Sequence, residues 1–159
     1  MEACVEINGW QANIRFSSSH VIPEYEKCGR LHGHTYAIHA RIWGETDGSG
    51  IVVDFSTIKS ILREITNRLD HRLMIPNKHN AVKVVELNES VELENNGKKY
   101  VFPKEDCVLL PLHSTSAENL AGYILNKVIE KLPKGRIREI EIGVDEGLGQ
   151  GAWVRRKLR

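Results

Sequence analysis

A long strand pattern that begins with two histidines constrains the fold more than any other feature of the chain. Residues 32–43 read His-Gly-His-Thr-Tyr-Ala-Ile-His-Ala-Arg-Ile-Trp, with the β-branched and aromatic side chains that are typical of strands. Alternate residues of a strand project to the same face, so His32 and His34 share a face. Gly33 between them leaves room for a ligand or for a second backbone.

The histidines of this stretch predict a metal site. His20, His32 and His34 are three of the seven histidines in the chain, and Cys28 lies between them in a loop with Gly29 and Arg30. Neutral imidazole binds zinc readily, and a catalytic zinc site takes three protein ligands and keeps a fourth position open. A lone histidine is usually an ordinary surface or hydrogen-bonded residue, but the clustering beside a cysteine favours the metal site. A thiolate at Cys28 is also easier to form in such a loop than in an apolar core.

Composition bounds the class of protein. A chain of 159 residues is long enough for one domain with a buried core, and 22 Lys and Arg against 21 Asp and Glu give no reason to expect nucleic acid or a membrane surface as a partner. The first residues lack a basic region followed by an apolar run, so we expect a cytoplasmic protein. Cys4, Cys28 and Cys107 are an odd number at irregular spacing, which favours reduced thiols over a disulfide framework.

Two helix patterns separate the strands. Apolar residues recur at helical spacing over 58–69, after Asp54 or Ser56 as the N-cap, and again over 120–132, after the capping-box sequence Thr115-Ser-Ala-Glu118. The segment between them, 76–111, contains Asn96-Gly97 between alternating runs, which predicts a β-hairpin insertion. The chain therefore reads as two strands, a helix, an insertion, a second helix and a last strand over 138–146, with 155–159 as a solvated tail.

The sequence pattern alone does not decide whether three polar residues have a functional role. Asp70 and His71 follow the first helix, where a polar turn is the ordinary interpretation. Glu146 ends the apolar row of the last strand, where an unpaired carboxylate is costly, but the glycines that follow also fit a strand that ends in solvent.

Six short motifs, in this order, make the chain resemble the 6-pyruvoyltetrahydropterin synthase / 6-carboxytetrahydropterin synthase family. They are Phe16-Ser-Ser-Ser-His20, Cys28-x-x-x-His32-Gly-His34, Val53-Asp54-Phe55, Leu69-Asp70-His71, Thr115-x-x-Glu118-Asn119 and Val144-x-Glu146. The resemblance covers one domain over 1–159, apart from the insertion and the tail. It implies an α+β tunnelling fold, with a four-stranded antiparallel sheet and two helices on one face, and a homo-oligomer, commonly a hexamer.

The resemblance also implies roles for individual residues. Carried over by motif, it implies zinc ligands at His20, His32 and His34, catalytic roles for Cys28, Asp70 and His71, and substrate contacts for Glu146 and Thr115. The implied substrate is a small molecule, 7,8-dihydroneopterin triphosphate.

The gap of three residues between Cys28 and His32 resembles the branch of the family that makes 6-carboxy-5,6,7,8-tetrahydropterin, for 7-deazaguanine synthesis. Two alternatives remain open: a 6-pyruvoyltetrahydropterin synthase or another dihydroneopterin-processing enzyme, and a non-catalytic oligomer that binds a pterin or a metal. His113-Ser-Thr115 and the residues Asp145 and Gly147 depart from the sequences common in the family, which bears on how the pterin packs.

Overall fold

The computed structural model describes residues 1–133 and 135–158. Its helices are α1 (Phe55–Leu69) and α2 (Ala117–Lys131), and its strands are β1 (Glu2–Ile7), β2 (Arg15–His20), β3 (His32–Glu45), β4 (Arg72–Pro76), β5 (Val82–Glu86), β6 (Ser90–Asn95), β7 (Lys98–Pro103), β8 (Cys107–Leu110), β9 (Ile137–Glu146) and β10 (Gly151–Lys157).

The main sheet is organised around β3. Its order is β10-β9-β3-β2-β4-β8, and β1 also pairs with β3. Because β2 pairs with residues 32–37 of β3 and β1 pairs with residues 40–45, the two short strands act as one interrupted strand along the same edge. The four-stranded antiparallel sheet of the tunnelling fold is therefore confirmed, and β4 and β8 extend it by parallel pairing.

Both helices pack on one face of this sheet, as predicted. The apolar stripe of α1 includes Leu62 and that of α2 includes Ile124, and both side chains are fully buried against strand residues such as Ile38 and Ile142. The Asp54 side chain accepts a hydrogen bond from the Thr57 amide and begins α1. Helix α2 begins one residue later than the capping-box pattern indicated, because Ser116 is the N-cap. None of the helices within the described ranges is long and apolar enough to cross a membrane.

The predicted insertion forms its own small sheet. The hairpin at Asn96-Gly97 is present, with φ of 50° and 73° at these residues, and joins β6 to β7. Strand β5 adds a third strand to it. The insertion is shorter than 76–111, since Pro76 still belongs to β4 and residues 107–110 form β8 in the main sheet. A second apolar cluster, which includes Val91, Leu93 and Ile75, lies between the two sheets.

The prediction of a solvated tail over 155–159 is wrong for residues 155–157. Strand β10 pairs with β9 from Gly151 opposite Asp145 as far as Lys157 opposite Glu139. Strand β10 is an edge strand of the main sheet. The charged side chains of Arg155 and Lys157 suit this position, because charges on an edge strand oppose further strand pairing. Arg159 lies outside the described residues.

Candidate metal centre and active site

The three predicted ligands meet where β2 and β3 pair. His20, the last residue of β2, lies directly opposite His32, the first residue of β3, and His34 follows on the same face two residues later. One ring nitrogen from each of the three lies within 4.8 Å of the others, so these residues can hold a metal ion. The cross-strand register therefore adds His20 to the His32/His34 pair. The spacing in the sequence alone does not show this contact.

Hydrogen bonds at Nδ1 of His20 and of His32 direct the Nε2 atoms of these two rings toward each other. His32 Nδ1 lies 2.7 Å from the Arg30 carbonyl oxygen, and His20 Nδ1 lies 3.1 Å from both the carbonyl and the hydroxyl oxygen of Thr115. A carbonyl oxygen only accepts, so Nδ1 of each ring carries the proton and Nε2 keeps its lone pair. The two Nε2 atoms are 3.1 Å apart. Metal-binding histidines are commonly oriented in this way.

His34 completes the test of whether the residues fit a metal. Its Nε2 is buried and has no hydrogen-bond partner among residues 1–133 and 135–158, which is costly for a polar atom unless a ligand pairs with it. Burial and the nearby His32 lower the pKa of His34, and the same two causes lower the pKa of His20 to about 4. His20 and His34 are thus suited to binding a divalent cation as neutral imidazoles.

Tyr36 lies beneath the histidines and was not singled out from the sequence. It continues the alternation of His32 and His34 along β3, is fully buried, and stacks on Phe16 with a ring centroid distance of 4.7 Å. Its hydroxyl oxygen is 3.4 Å from both ring nitrogens of His20. Burial raises the pKa of Tyr36, so the hydroxyl stays protonated. The alternation itself was the signal that could have identified it.

Cys28 and Glu146 line the same cavity, of about 290 Å³, beside the metal centre. Glu146 also comes within 3.9 Å of His34, measured from Oε2 to Nε2. Burial raises the pKa of Glu146, and the Glu118 carboxylate adds to this while His32 opposes it. Glu118 lines the same cavity, whereas the sequence placed it in a helix cap and in one of the family motifs without a role in the site.

Thr115 is placed differently from the expected substrate contact. The residue is fully buried, and its hydroxyl oxygen lies 3.1 Å from His20 Nδ1. The Thr115 side chain therefore orients a predicted metal ligand, and Ser116 takes the helix-capping role.

His71, which pairs with Asp70, lines a different cavity from Cys28. Asp70 is the C-cap residue at which α1 ends. Its carboxylate accepts a hydrogen bond from the Ser17 amide at 2.8 Å and lies 2.9 Å from His71 Nδ1. His71 has a φ of 56°, an uncommon conformation for a residue other than glycine, and its side chain is 83% exposed. It lines a cavity of about 660 Å³ with His34 and Arg72, and in the part of the chain that the structure describes no hydrogen bond joins this pair to Cys28.

Comparison with known proteins identifies the family that the sequence motifs resemble, over nearly the whole chain. The model of the family described as 6-pyruvoyl tetrahydropterin synthase matches residues 10–157. A Methanocaldococcus jannaschii protein that provisionally carries the name 6-carboxy-5,6,7,8-tetrahydropterin synthase is 39% identical over 158 residues, which is 97% of each chain. A Rickettsia bellii protein of that name is 31% identical over 122 residues, 75% of this chain and 78% of the relative.

A solved structure agrees with these relatives. The crystal structure of 6-pyruvoyl tetrahydropterin synthase from Plasmodium vivax matches with a TM-score of 0.90 and 29% identity, and covers 99% of both chains. Both the sequence and the tunnelling fold therefore place the chain in the 6-pyruvoyl tetrahydropterin synthase family.

Proposed function

We propose that this protein is a zinc-dependent lyase that converts 7,8-dihydroneopterin triphosphate and one water into 6-carboxy-5,6,7,8-tetrahydropterin, acetaldehyde and triphosphate. The observation that carries the proposal is the convergence of three metal-binding imidazoles with a thiol and a carboxylate, since Glu146 contacts the His34 side of the metal centre and shares a cavity with Cys28. Relatives that carry the name of this product cover most of the chain. The product is a precursor for 7-deazaguanine synthesis, and the reaction belongs in the cytoplasm.

The metal centre and Glu146 hold the substrate in this proposal. Zinc on His20, His32 and His34 would supply Lewis acidity toward the side-chain hydroxyls of the pterin. The two oxygens of the Glu146 carboxylate accept hydrogen bonds from N–H groups of the pterin ring, which no neutral side chain accepts as strongly. Burial of Glu146 strengthens these hydrogen bonds because little water competes for the carboxylate.

Cys28 and the Asp70–His71 pair move protons. Cys28 faces the cavity that Glu146 lines, and as a thiolate it takes a proton from the substrate side chain. His71, oriented through Nδ1 by Asp70, carries the second proton. Because His71 of this pair and Cys28 line different cavities of one chain, we propose that the pair acts on the Cys28 cavity of a neighbouring subunit in a homo-oligomer.

One specific observation favours a second product. The P. vivax structure that matches over 99% of both chains is a 6-pyruvoyl tetrahydropterin synthase. The short Cys28–His32 gap and the names of the sequence relatives support the 6-carboxy product. The two activities differ in whether carbon–carbon bond cleavage releases acetaldehyde.

The deciding experiment is to incubate the zinc-loaded protein with 7,8-dihydroneopterin triphosphate and to identify the products by mass spectrometry. We expect 6-carboxy-5,6,7,8-tetrahydropterin and acetaldehyde. In Cys28→Ala we expect turnover to fall by more than about a hundredfold, because the base is lost, while the zinc content stays near that of the unmodified chain.

Other outcomes separate the alternatives. Release of a 6-pyruvoyl product assigns the second activity, and binding of the pterin without turnover assigns a non-catalytic role. A Cys28→Ala variant that keeps its zinc and full activity would remove Cys28 from the mechanism.

A further inference from the structure

The loop that carries Cys28, residues 22–30, is attached to the inserted sheet of β5, β6 and β7. The Asn95 side-chain amide donates to the Gly29 carbonyl at 2.8 Å, and that of Asn96 donates to the Pro23 carbonyl at 3.3 Å. His79, from the connection between β4 and β5, pairs with the Glu24 carboxylate at 2.5 Å. The insertion therefore contacts this loop near both of its ends.

Asn95 is an unexpected residue for its position. It lies on the face of β6 that also carries Val91 and Leu93, and all three side chains are buried in the same apolar region. One atom of its amide, Oδ1, is buried and has no hydrogen-bond partner among the described residues, which is unfavourable for a polar atom. An apolar residue would fit the row better, so packing alone does not explain the amide. The side-chain hydrogen bond that it does make goes to the carbonyl of Gly29, the residue after Cys28.

Gly29 permits this close approach. A Cβ atom at position 29 would come within 2.9 Å of the Asn96 amide nitrogen and would overlap the Tyr25 carbonyl oxygen. The Gly29 amide in turn donates to that carbonyl at 2.7 Å, and the Cys28 carbonyl accepts from the Ile22 amide at 2.8 Å. The loop thus forms a compact turn whose outer side rests on the inserted sheet.

The same attachment extends to the metal centre. The carbonyl of Arg30, the residue after Gly29, accepts from His32 Nδ1 at 2.7 Å. A hydrogen bond that fixes the Gly29 peptide therefore restricts Cys28 on one side and Arg30, which orients His32, on the other. Small displacements of this kind matter at a reactive group, because catalysis depends on alignment at the level of about 1 Å.

We propose that the inserted sheet supports the catalytic loop and that Asn95 is a positioning residue, which sets the location of the Cys28 thiol through the Gly29 carbonyl. The proposal rests on the proposed function insofar as Cys28 is the catalytic base. It predicts that the loop loses its fixed conformation without Asn95 although the inserted sheet remains folded.

The test compares Asn95→Leu with the unmodified protein. Leucine continues the apolar row of Val91 and Leu93, so we expect the urea midpoint to change little. We expect the Gly29 and Ile22 amides to exchange hydrogen at least about tenfold faster, and kcat to fall at least about tenfold with KM nearly unchanged. Asn95→Ala removes the same donor without adding volume. It should therefore show the same two effects even where leucine disturbs the packing.

Val91→Ala is the matched control. Val91 is fully buried in the same row of β6, and its side chain makes no hydrogen bond to the loop. This variant should lower the urea midpoint while it leaves kcat and the exchange of Gly29 close to normal. A kcat that falls equally in both variants would show that stability alone is responsible and would overturn the proposal.

Two further results decide the remaining cases. Unchanged Gly29 exchange in both Asn95 variants would overturn the positioning role. If Cys28→Ala keeps its turnover, the proposed function fails independently, and faster Gly29 exchange in Asn95→Leu still supports Asn95 as the residue that fixes the loop.

Discussion

At the scale of single residues, the Asp70 carboxylate makes a pH-dependent contribution to stability. Burial acts to raise the pKa of Asp70, but the hydrogen bonds from the Ser17 amide and from His71 outweigh it, so the pKa lies below its ordinary value. A carboxyl with a lowered pKa stabilises the folded state above its unfolded pKa, and the contribution is lost as the pH falls through the folded pKa.

Asp70→Asn should therefore lower the free energy of unfolding at neutral pH by less than about 1 kcal/mol, because the Asp70 side chain is 38% exposed and water screens the interaction. The difference between variant and unmodified protein should shrink as the pH falls below about 4. Urea unfolding at several pH values measures this. A difference that grows in acid would contradict the assignment.

The residues of the site were predictable to different degrees. Alternation along one strand placed His32 and His34 on the same face, and the structure agrees. The sequence did not show that Thr115 orients His20, because that contact joins elements that are far apart in the chain and depends on tertiary packing. For Asp70 and His71, the pattern correctly indicated a polar turn after α1, yet it carried no information about which cavity the turn faces.

At the scale of elements, the pairing of β9 with β10 depends on a glycine opposite a tryptophan. Gly143 lies opposite Trp153, and a Cβ at position 143 would come 2.6 Å from the indole ring. The Arg41 guanidinium lies 4.4 Å from the centroid of the same ring and fixes it from β3. Gly143→Ala should therefore cost about 1–3 kcal/mol, since the ring has to move.

The sign should reverse when the ring is absent. In a Trp153→Ala background, Gly143→Ala should stabilise the protein by up to about 1 kcal/mol, because alanine loses less backbone entropy than glycine in a strand. A double-mutant cycle of urea unfolding free energies measures the coupling. An equal cost in both backgrounds would mean that the indole does not occupy the space above Gly143.

The elements also differed in how far the sequence predicted them. Both helices and the Asn96-Gly97 hairpin carried strong local signals and were predicted close to their bounds. Strand β10 was missed over 155–157 because its alternation is weak and its charged residues fit a solvated tail equally well. The parallel pairing of β4 and β8 was missed because parallel strands are paired across a long connection that leaves no local pattern.

At the scale of the whole molecule, one chain presents two parts of a proposed active site on separate surfaces. Cys28 and Glu146 line one cavity, and His71, which pairs with Asp70, lines another. If each site of a homo-oligomer uses the first pair from one subunit and the second from its neighbour, single-residue variants can complement each other. A site completed within one chain cannot be restored in this way.

Mixing two inactive variants tests this arrangement. Cys28→Ala and His71→Ala should each lose turnover as separate proteins, since each removes a proposed proton-transfer group from every site. When the two are unfolded together and refolded as a mixture, random assembly places an intact Cys28 beside an intact His71 at about a quarter of the interfaces. Turnover should recover to about that fraction of the unmodified protein, whereas a mixture of Cys28→Ala with Cys28→Ser serves as the matched control and should stay inactive. Failure of the first mixture to recover, with both variants folded, assembled and separately inactive, would mean that Cys28 and His71 act within one chain.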